Sequence, residues 1–199
     1  AGAQTTAAWA TGIDEGGGAD EDSQTLTFTT STSNDAAFAS LPAVDEATGD
    51  LSYAMNADFA GGPITVTVTL TDSGGTANGG DDDSEDTFTI TVNAINDAPT
   101  FTAGPDETID EDAGPQTTAG WATGIDEGGG ADEDSQTLTF NVSNDNIALF
   151  STQPAISSAG DLSYTPAPDA FGEATVTVSL SDDGGTPNGG EDTSADQTF

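Results

Sequence analysis

The sequence predicts an all-β protein made of two tandem, seven-stranded antiparallel β-sandwich modules. Segments such as Ile64-Thr-Val-Thr-Val-Thr-Leu70 alternate apolar residues and Thr with period two, the signature of a half-buried strand. Glycine clusters at Gly16-Gly17-Gly18, Gly74-Gly75 and Asn78-Gly79-Gly80 separate these segments as turns, and helical periodicity is absent. The third observation is internal repetition. Gln4–Phe28 and Gln116–Phe140 differ only in Ala8 against Gly120, at an offset of 112.

The repetition continues along the chain. Leu51-Ser52-Tyr53 recurs as Leu162-Ser163-Tyr164, and the run from Val66 recurs from Val176, at offsets of 110 to 112. One period suits one immunoglobulin-sized sandwich of ~100 residues. In the second copy, strands are expected at about 101–109 (A), 116–125 (B), 136–143 (C), 147–153 (D), 161–165 (E), 173–181 (F) and from 197 (G). Thr25–Phe28, Ile64–Leu70 and Thr87–Val92 are their clearest counterparts in the first copy. Thr and Val suit these strands because β-branched side chains pack on a pleated surface. Trp9 and Trp121 fall at equivalent places in strand B and, with Phe28, Phe59, Leu70 and Phe88, read as core anchors. The acids of Asp81–Asp86 read as a solvated loop.

Phe199 aligns with Phe88 and Ala1 with Ala113, so the segment equivalent to Thr89–Asp112 is not repeated. The expectation is a window on a longer array, with modules at 1–97 and 98–199. The first would lack its opening strand A and the second most of its closing strand G.

Charge narrows the function. The chain holds no Lys, Arg, His or Cys against 36 Asp and Glu, a formal net charge of −36 at pH 7. Nothing in it can neutralise phosphates, so direct nucleic-acid binding is excluded, as is basic attraction to an anionic membrane. Triads with His, thiol nucleophiles, Schiff bases and P-loop lysines are equally excluded. No run approaches the ~18 apolar residues of a membrane span, and no basic segment precedes an apolar one. Any export signal is expected outside this stretch. A metal site must use oxygen ligands alone, which favours Ca2+ or Mg2+ over Zn2+ or Cu2+.

Topology suggests where such a site would form. With strands alternating down and up, B and F end at the top of a module, while the E–F loop and the end of G lie at its bottom. The bottom of the first module then carries Asp58, Asn96 and Asp97. The top of the second carries Asp126, Asp132, Asp134 and Asp182. That many oxygens at one junction repel unless a divalent cation joins them, and Ca2+ takes ~6–8 oxygens with flexible geometry. Asp14, Asp20, Asp22 and Asp72 are the equivalent acids on top of the first module. Glu111 and Asp169 mark the base of the second.

The linker Ala94-Ile95-Asn96-Asp97-Ala98-Pro99-Thr100-Phe101 resembles the inter-repeat signature of cadherins and of the bacterial cadherin-like and Ig-like tandem repeats of giant surface adhesins. The likeness extends to Ile109-Asp110-Glu111-Asp112, to Ala122-Thr123-Gly124-Ile125-Asp126 and to Gly160-Asp161-Leu162-Ser163-Tyr164 with Pro168-Asp169. Ser181-Asp182-Asp183-Gly184-Gly185 completes it. The resemblance implies that these positions ligate Ca2+ between repeats and stiffen an extended array at a cell surface. The first acid of the family's linker falls on Ala94, so one of its ligands is missing here.

The expected function is therefore a structural extender in a secreted or cell-surface protein, calcium-stiffened and not an enzyme. Its partners would be neighbouring repeats of the same chain or neighbouring subunits, with any surface or glycan ligand elsewhere in the full-length protein. Two alternatives stand beside it. One is a self-assembling filament subunit completed by strand donation, and the other a calcium-dependent carbohydrate-binding module.

Overall fold

The structure, a computed structural model, describes residues 2–17, 23–77 and 80–199. It is all-β, with antiparallel sheets and a few short 3-10 turns between strands. The chain divides into two compact units, Ala1–Ala94 and Ile95–Phe199.

The first unit contains β1 (Ala3–Thr6), β2 (Thr27–Thr32), β3 (Phe38–Val44), β4 (Leu51–Met55), β5 (Gly61–Thr71) and β6 (Asp83–Val92). They form two three-stranded sheets, β1-β4-β3 and β2-β5-β6. The second unit contains β7 (Thr100–Thr102), β8 (Gln116–Thr118), β9 (Thr123–Asp126), β10 (Thr139–Asn144) and β11 (Phe150–Ile156). It continues with β12 (Leu162–Pro166), β13 (Val176–Ser181) and β14 (Gln197–Thr198). Its sheets are β11-β12-β8 and β10-β13-β14, with β7 paired to β9.

The period-two pattern does in space what it announces in sequence. Along β13 the side chains of Val176, Val178 and Leu180 are buried while Thr177, Ser179 and Ser181 are not. In β5, Ile64, Val66 and Val68 turn inward in the same way. Each such Val, Leu or Ile contributes roughly 1.5–3 kcal/mol by leaving water. The cores close around them, with Phe101, Trp121, Leu162 and Tyr164 in the second unit and Phe38, Met55 and Ile90 in the first.

Three features differ from the sequence prediction. Strand B is not continuous: β8 pairs with β12 and β9 with β7, so the chain changes sheets between them. Gly120 makes that change possible with φ of 60°, and Ala8 holds the corresponding place at 48°. Trp9 and Trp121 follow these bends instead of lying within strands. Second, the acids Asp83, Glu85 and Asp86 are not in a loop. They open β6 and pair with Thr71, Thr69 and Val68, because backbone pairing along a sheet edge does not depend on what the exposed side chains are. Charge on an edge strand also discourages further strands from adding to it. Third, strand bounds in the second unit shift: strand A ends at Thr102 instead of 109, C begins at Thr139 instead of 136, D runs over Phe150–Ile156 instead of 147–153, and F begins at Val176 instead of 173.

Candidate metal centre

The predicted oxygen ligands Asn96, Asp97, Asp126, Asp132, Asp134 and Asp182 are carried by four segments of the second unit: the linker 95–99, the end of β9, the turn 131–135 and the end of β13. The linker is fastened to this unit. Asn96 Nδ2 donates to the Glu191 carbonyl at 2.6 Å, and the Glu191 N–H donates to the Asn96 carbonyl at 2.9 Å. Pro99 is fully buried. The linker backbone lies so close to Gly128, with φ of 95°, that a Cβ there would stand 2.7 Å from the Ala98 carbonyl oxygen. Asn96 and Asp97 thus bond to the unit that follows them.

Asn96 is the hub. Its Nδ2 donates to Asp182 Oδ1 at 3.0 Å, and its Oδ1 accepts from Gln136 Nε2 at 2.6 Å. Asp182 Oδ1 also accepts the Gly184 N–H at 2.9 Å, while Asp182 Oδ2 is buried without a partner. Gly184 is required by this packing, since a Cβ there would collide with Asn96 Oδ1.

The turn 131–135 sorts its acids by direction. Asp132 and Asp134 are exposed, whereas Glu133 between them is only 3% exposed. Glu133 Oε1 accepts the Asp97 N–H at 2.8 Å, and Oε2 has no partner. A Cβ on Gly129 would run into the Glu133 carboxylate and stand 3.1 Å from Asp97 Oδ2, so both carboxylates share the space over that glycine. Burial lifts the Glu133 carboxyl above the ordinary glutamate range. The Asp97 hydrogen bond opposes this, and the charges of Asp97, Asp132 and Asp182 reinforce it. Among the described residues, no three acidic side chains are already drawn into a finished cation cage. What is present is a set of oxygens on three segments, two of them buried and unpaired.

Asp126, at the end of β9, is exposed and caps its own turn by accepting the Gly128 N–H at 3.0 Å. Asp14 repeats this with Gly16 at 2.8 Å, and Asp72 repeats the Asp182 turn with Gly74 at 2.7 Å. Asp20 and Asp22 lie outside the described residues. In the first unit Gln24, the counterpart of Gln136, has a buried Oε1 with no partner. Asp58 sits exposed in a left-handed turn after β4, with φ of 54°. Asp169 has the same conformation, at 59°, and its N–H donates to Asp112 Oδ1 at 2.8 Å. Asp112, next to Glu111 in sequence, is thus an acid that reaches Asp169. Glu133 is the residue that motif matching passes over.

Comparison with protein-family models, curated proteins and solved structures gives no match.

Proposed function

We propose that this chain is a pair of Ig-like, cadherin-like β-sandwich modules from an extracellular tandem-repeat protein, and that calcium fastens its linker. The observation that carries this reading is the buried Glu133 carboxylate. It sits among Asp97, Asp132 and Asp182 with Oε2 unpaired, in a chain that has no cationic side chain to neutralise it. A proton or a cation from solution is what remains, and oxygen donors alone select a hard divalent ion. Glu133, Asp97 and Asp182 would supply carboxylate oxygens, with Asn96 Oδ1 beside them. Bound calcium supplies positive charge, drawing the linker, the turn 131–135 and the end of β13 together. Fixing a linker to the module that follows it suits a repeat whose work is mechanical, and the near-identity of Gln4–Phe28 and Gln116–Phe140 suits an extender better than a unique pocket would. The expected role is non-enzymatic.

Calorimetric titration of Ca2+ into the EDTA-treated chain tests the reading. Saturable binding is expected with Kd near ~10⁻⁴–10⁻³ M, the range of extracellular modules, and weaker response to Mg2+. Absence of Ca2+ binding, together with a melting temperature indifferent to EDTA, would refute it.

A further inference from the structure

Strands β2 and β10 each lie at an edge of their sheet, in the orders β2-β5-β6 and β10-β13-β14. The Ser33 N–H donates to the Thr65 carbonyl at 2.9 Å, and the Asp145 N–H to the Thr175 carbonyl at 3.2 Å. Each bond continues the register of its strand pair. In an antiparallel ladder, residues that bond to the neighbour alternate with residues that do not. Thr27, Thr29 and Ser31 therefore bond to β5, while Phe28, Thr30 and Thr32 turn their N–H and C=O groups out from the edge. By the same alternation Phe140, Val142 and Asn144 turn theirs out from β10. Among the described residues no other backbone group bonds to these outward ones. Sheet edges are commonly blunted by charge, proline or a bulge. Here β6 carries Asp83, Glu85 and Asp86, and β3 and β11 carry Pro42 and Pro154 beside register shifts. Neither Gln24–Asn34 nor Ser135–Asn144 contains an acid or a proline, in a chain with 36 acids.

We propose that β2 and β10 are self-pairing edges: each takes the same strand of a second copy of this chain, laid antiparallel to it. The two-fold axis falls at Thr30 in one join and at Val142 in the other. Val142 then bonds to its own counterpart, and Phe140 bonds to Asn144 of the other copy, so every outward group of β10 is satisfied at once. Thr30, with Phe28 and Thr32, does the same for β2. A strand that meets itself in this way makes a closed, self-complementary contact. Charge selects the occupant. With no cationic side chain anywhere, acids on two copies repel wherever they face each other. Along these joins none do: the exposed side chains brought opposite are Thr29 to Ser31 and Asn141 to Ser143. An acidic or basic peptide finds no ion partner here, whereas a neutral strand finds a full ladder, and each copy supplies two. Association is therefore open-ended, copy to copy and edge to edge. No residue of the metal centre takes part, so this inference and the calcium reading fail separately.

Sedimentation of the full chain in EDTA tests this, at ~1 M NaCl, where charges are screened beyond ~3 Å, and at ~0.01 M, where they act over ~30 Å. The mass is expected to rise with concentration past the dimer in high salt and to stay monomeric in low salt. Thr29→Glu with Ser31→Glu sets like charges across the β2 join, and Asn141→Glu with Ser143→Glu does so across the β10 join. Either pair should stop assembly at the dimer, and both together should leave monomers. In the native chain, association in high salt should slow amide exchange roughly tenfold at Phe28, Thr30, Thr32, Phe140, Val142 and Asn144. Thr27, Thr29 and Ser31, already bonded to β5, should be unchanged. A native chain that stays monomeric in high salt, or assembly that persists with all four substitutions, would overturn the proposal. So would equal slowing at alternate residues. Monomers from one pair alone would overturn it as well, since β2 would then be pairing with β10.

Discussion

The Asp97 N–H donates a 2.8 Å hydrogen bond to Glu133 Oε1, joining the linker to the buried acid of the turn 131–135. The bond satisfies one carboxylate oxygen and leaves the other facing the charges of Asp97 and Asp182. Without a cation this is a strained arrangement, because a buried acceptor with no partner costs roughly 1–3 kcal/mol. Under the proposed function, a bound cation would supply the partner that this oxygen lacks.

Glu133→Gln should therefore act in opposite directions in the two conditions. In EDTA the amide keeps an oxygen for the Asp97 N–H and presents an NH2 group to the neighbouring carboxylates. The variant is expected to match or exceed the native chain, by up to about 1 kcal/mol. In Ca2+ at ~100 times Kd, the native chain gains about 2.7 kcal/mol by mass action and the variant loses most of that gain. Melting curves of both proteins with and without Ca2+ check this. Parallel behaviour in both conditions would show that Glu133 does not touch the ion.

The pH dependence follows with a definite sign. Glu133 has a folded-state pKa raised above its unfolded value, so between the two the folded state binds more protons than the unfolded state. Stability in EDTA should rise as pH falls from 7 through the raised value, with the gain complete below about 4.5. Asp45 and Asp183 act in the reverse sense. Backbone N–H groups of Thr48 and Thr137 hold their carboxyls below the usual range, and their contribution is lost as pH falls beneath ~3.8. The calcium-free chain is thus expected to be most stable near pH ~4–5. Calcium affinity should fall over the same interval, since the proton competes for Glu133. Urea titrations across pH check both, and Glu133→Gln should flatten the upper limb of the profile.

The strands were legible because period-two alternation reports burial on one face, which is a local property of β5 and β13. The break in strand B was not, because it depends on one residue entering left-handed backbone space. Sequence shows that Ala8 and Gly120 differ without showing why. The edge role of Asp83–Asp86 was hidden for a related reason: pairing belongs to the backbone, and exposed side chains leave no alternation to read. At the candidate site, the convergence of Asn96 on Asp182 was legible from motif and topology. Glu133 required knowing which way the turn 131–135 winds, something that three adjacent acids do not encode.

That single difference between the repeats supplies another prediction. Ala8 and Gly120 occupy the same bend, at φ of 48° and 60°, and each N–H donates at 2.7 Å to an Asp carboxylate, Asp50 or Asp161. Left-handed backbone costs an L-residue roughly 1–2 kcal/mol, partly offset because Gly loses more entropy on folding. Ala8→Gly should stabilise the first unit by about 0.5–1 kcal/mol, and Gly120→Ala should destabilise the second by a similar amount. Urea unfolding of each variant measures the pair. Both changes shifting stability in the same direction would contradict the shared strain.

Close backbone approach, as distinct from dihedral strain, is separable at two glycines of the first unit. Gly12 and Gly49 are both left-handed, at φ of 65° and 72°. A Cβ on Gly12 meets nothing within 4 Å, whereas one on Gly49 would collide with the Ala10 carbonyl oxygen and reach Ile13 Cδ1 at 3.4 Å. The Gly49 carbonyl also accepts the Ala10 N–H at 2.9 Å, so the two segments cannot separate without losing that bond. Gly12→Ala is expected to cost only the dihedral term of about 1 kcal/mol. Gly49→Ala adds overpacking against backbone, another ~1–3 kcal/mol, for a total near 3. Urea midpoints of the two variants should differ accordingly, and equal costs would mean that the chain near Ala10 yields freely to an added methyl group.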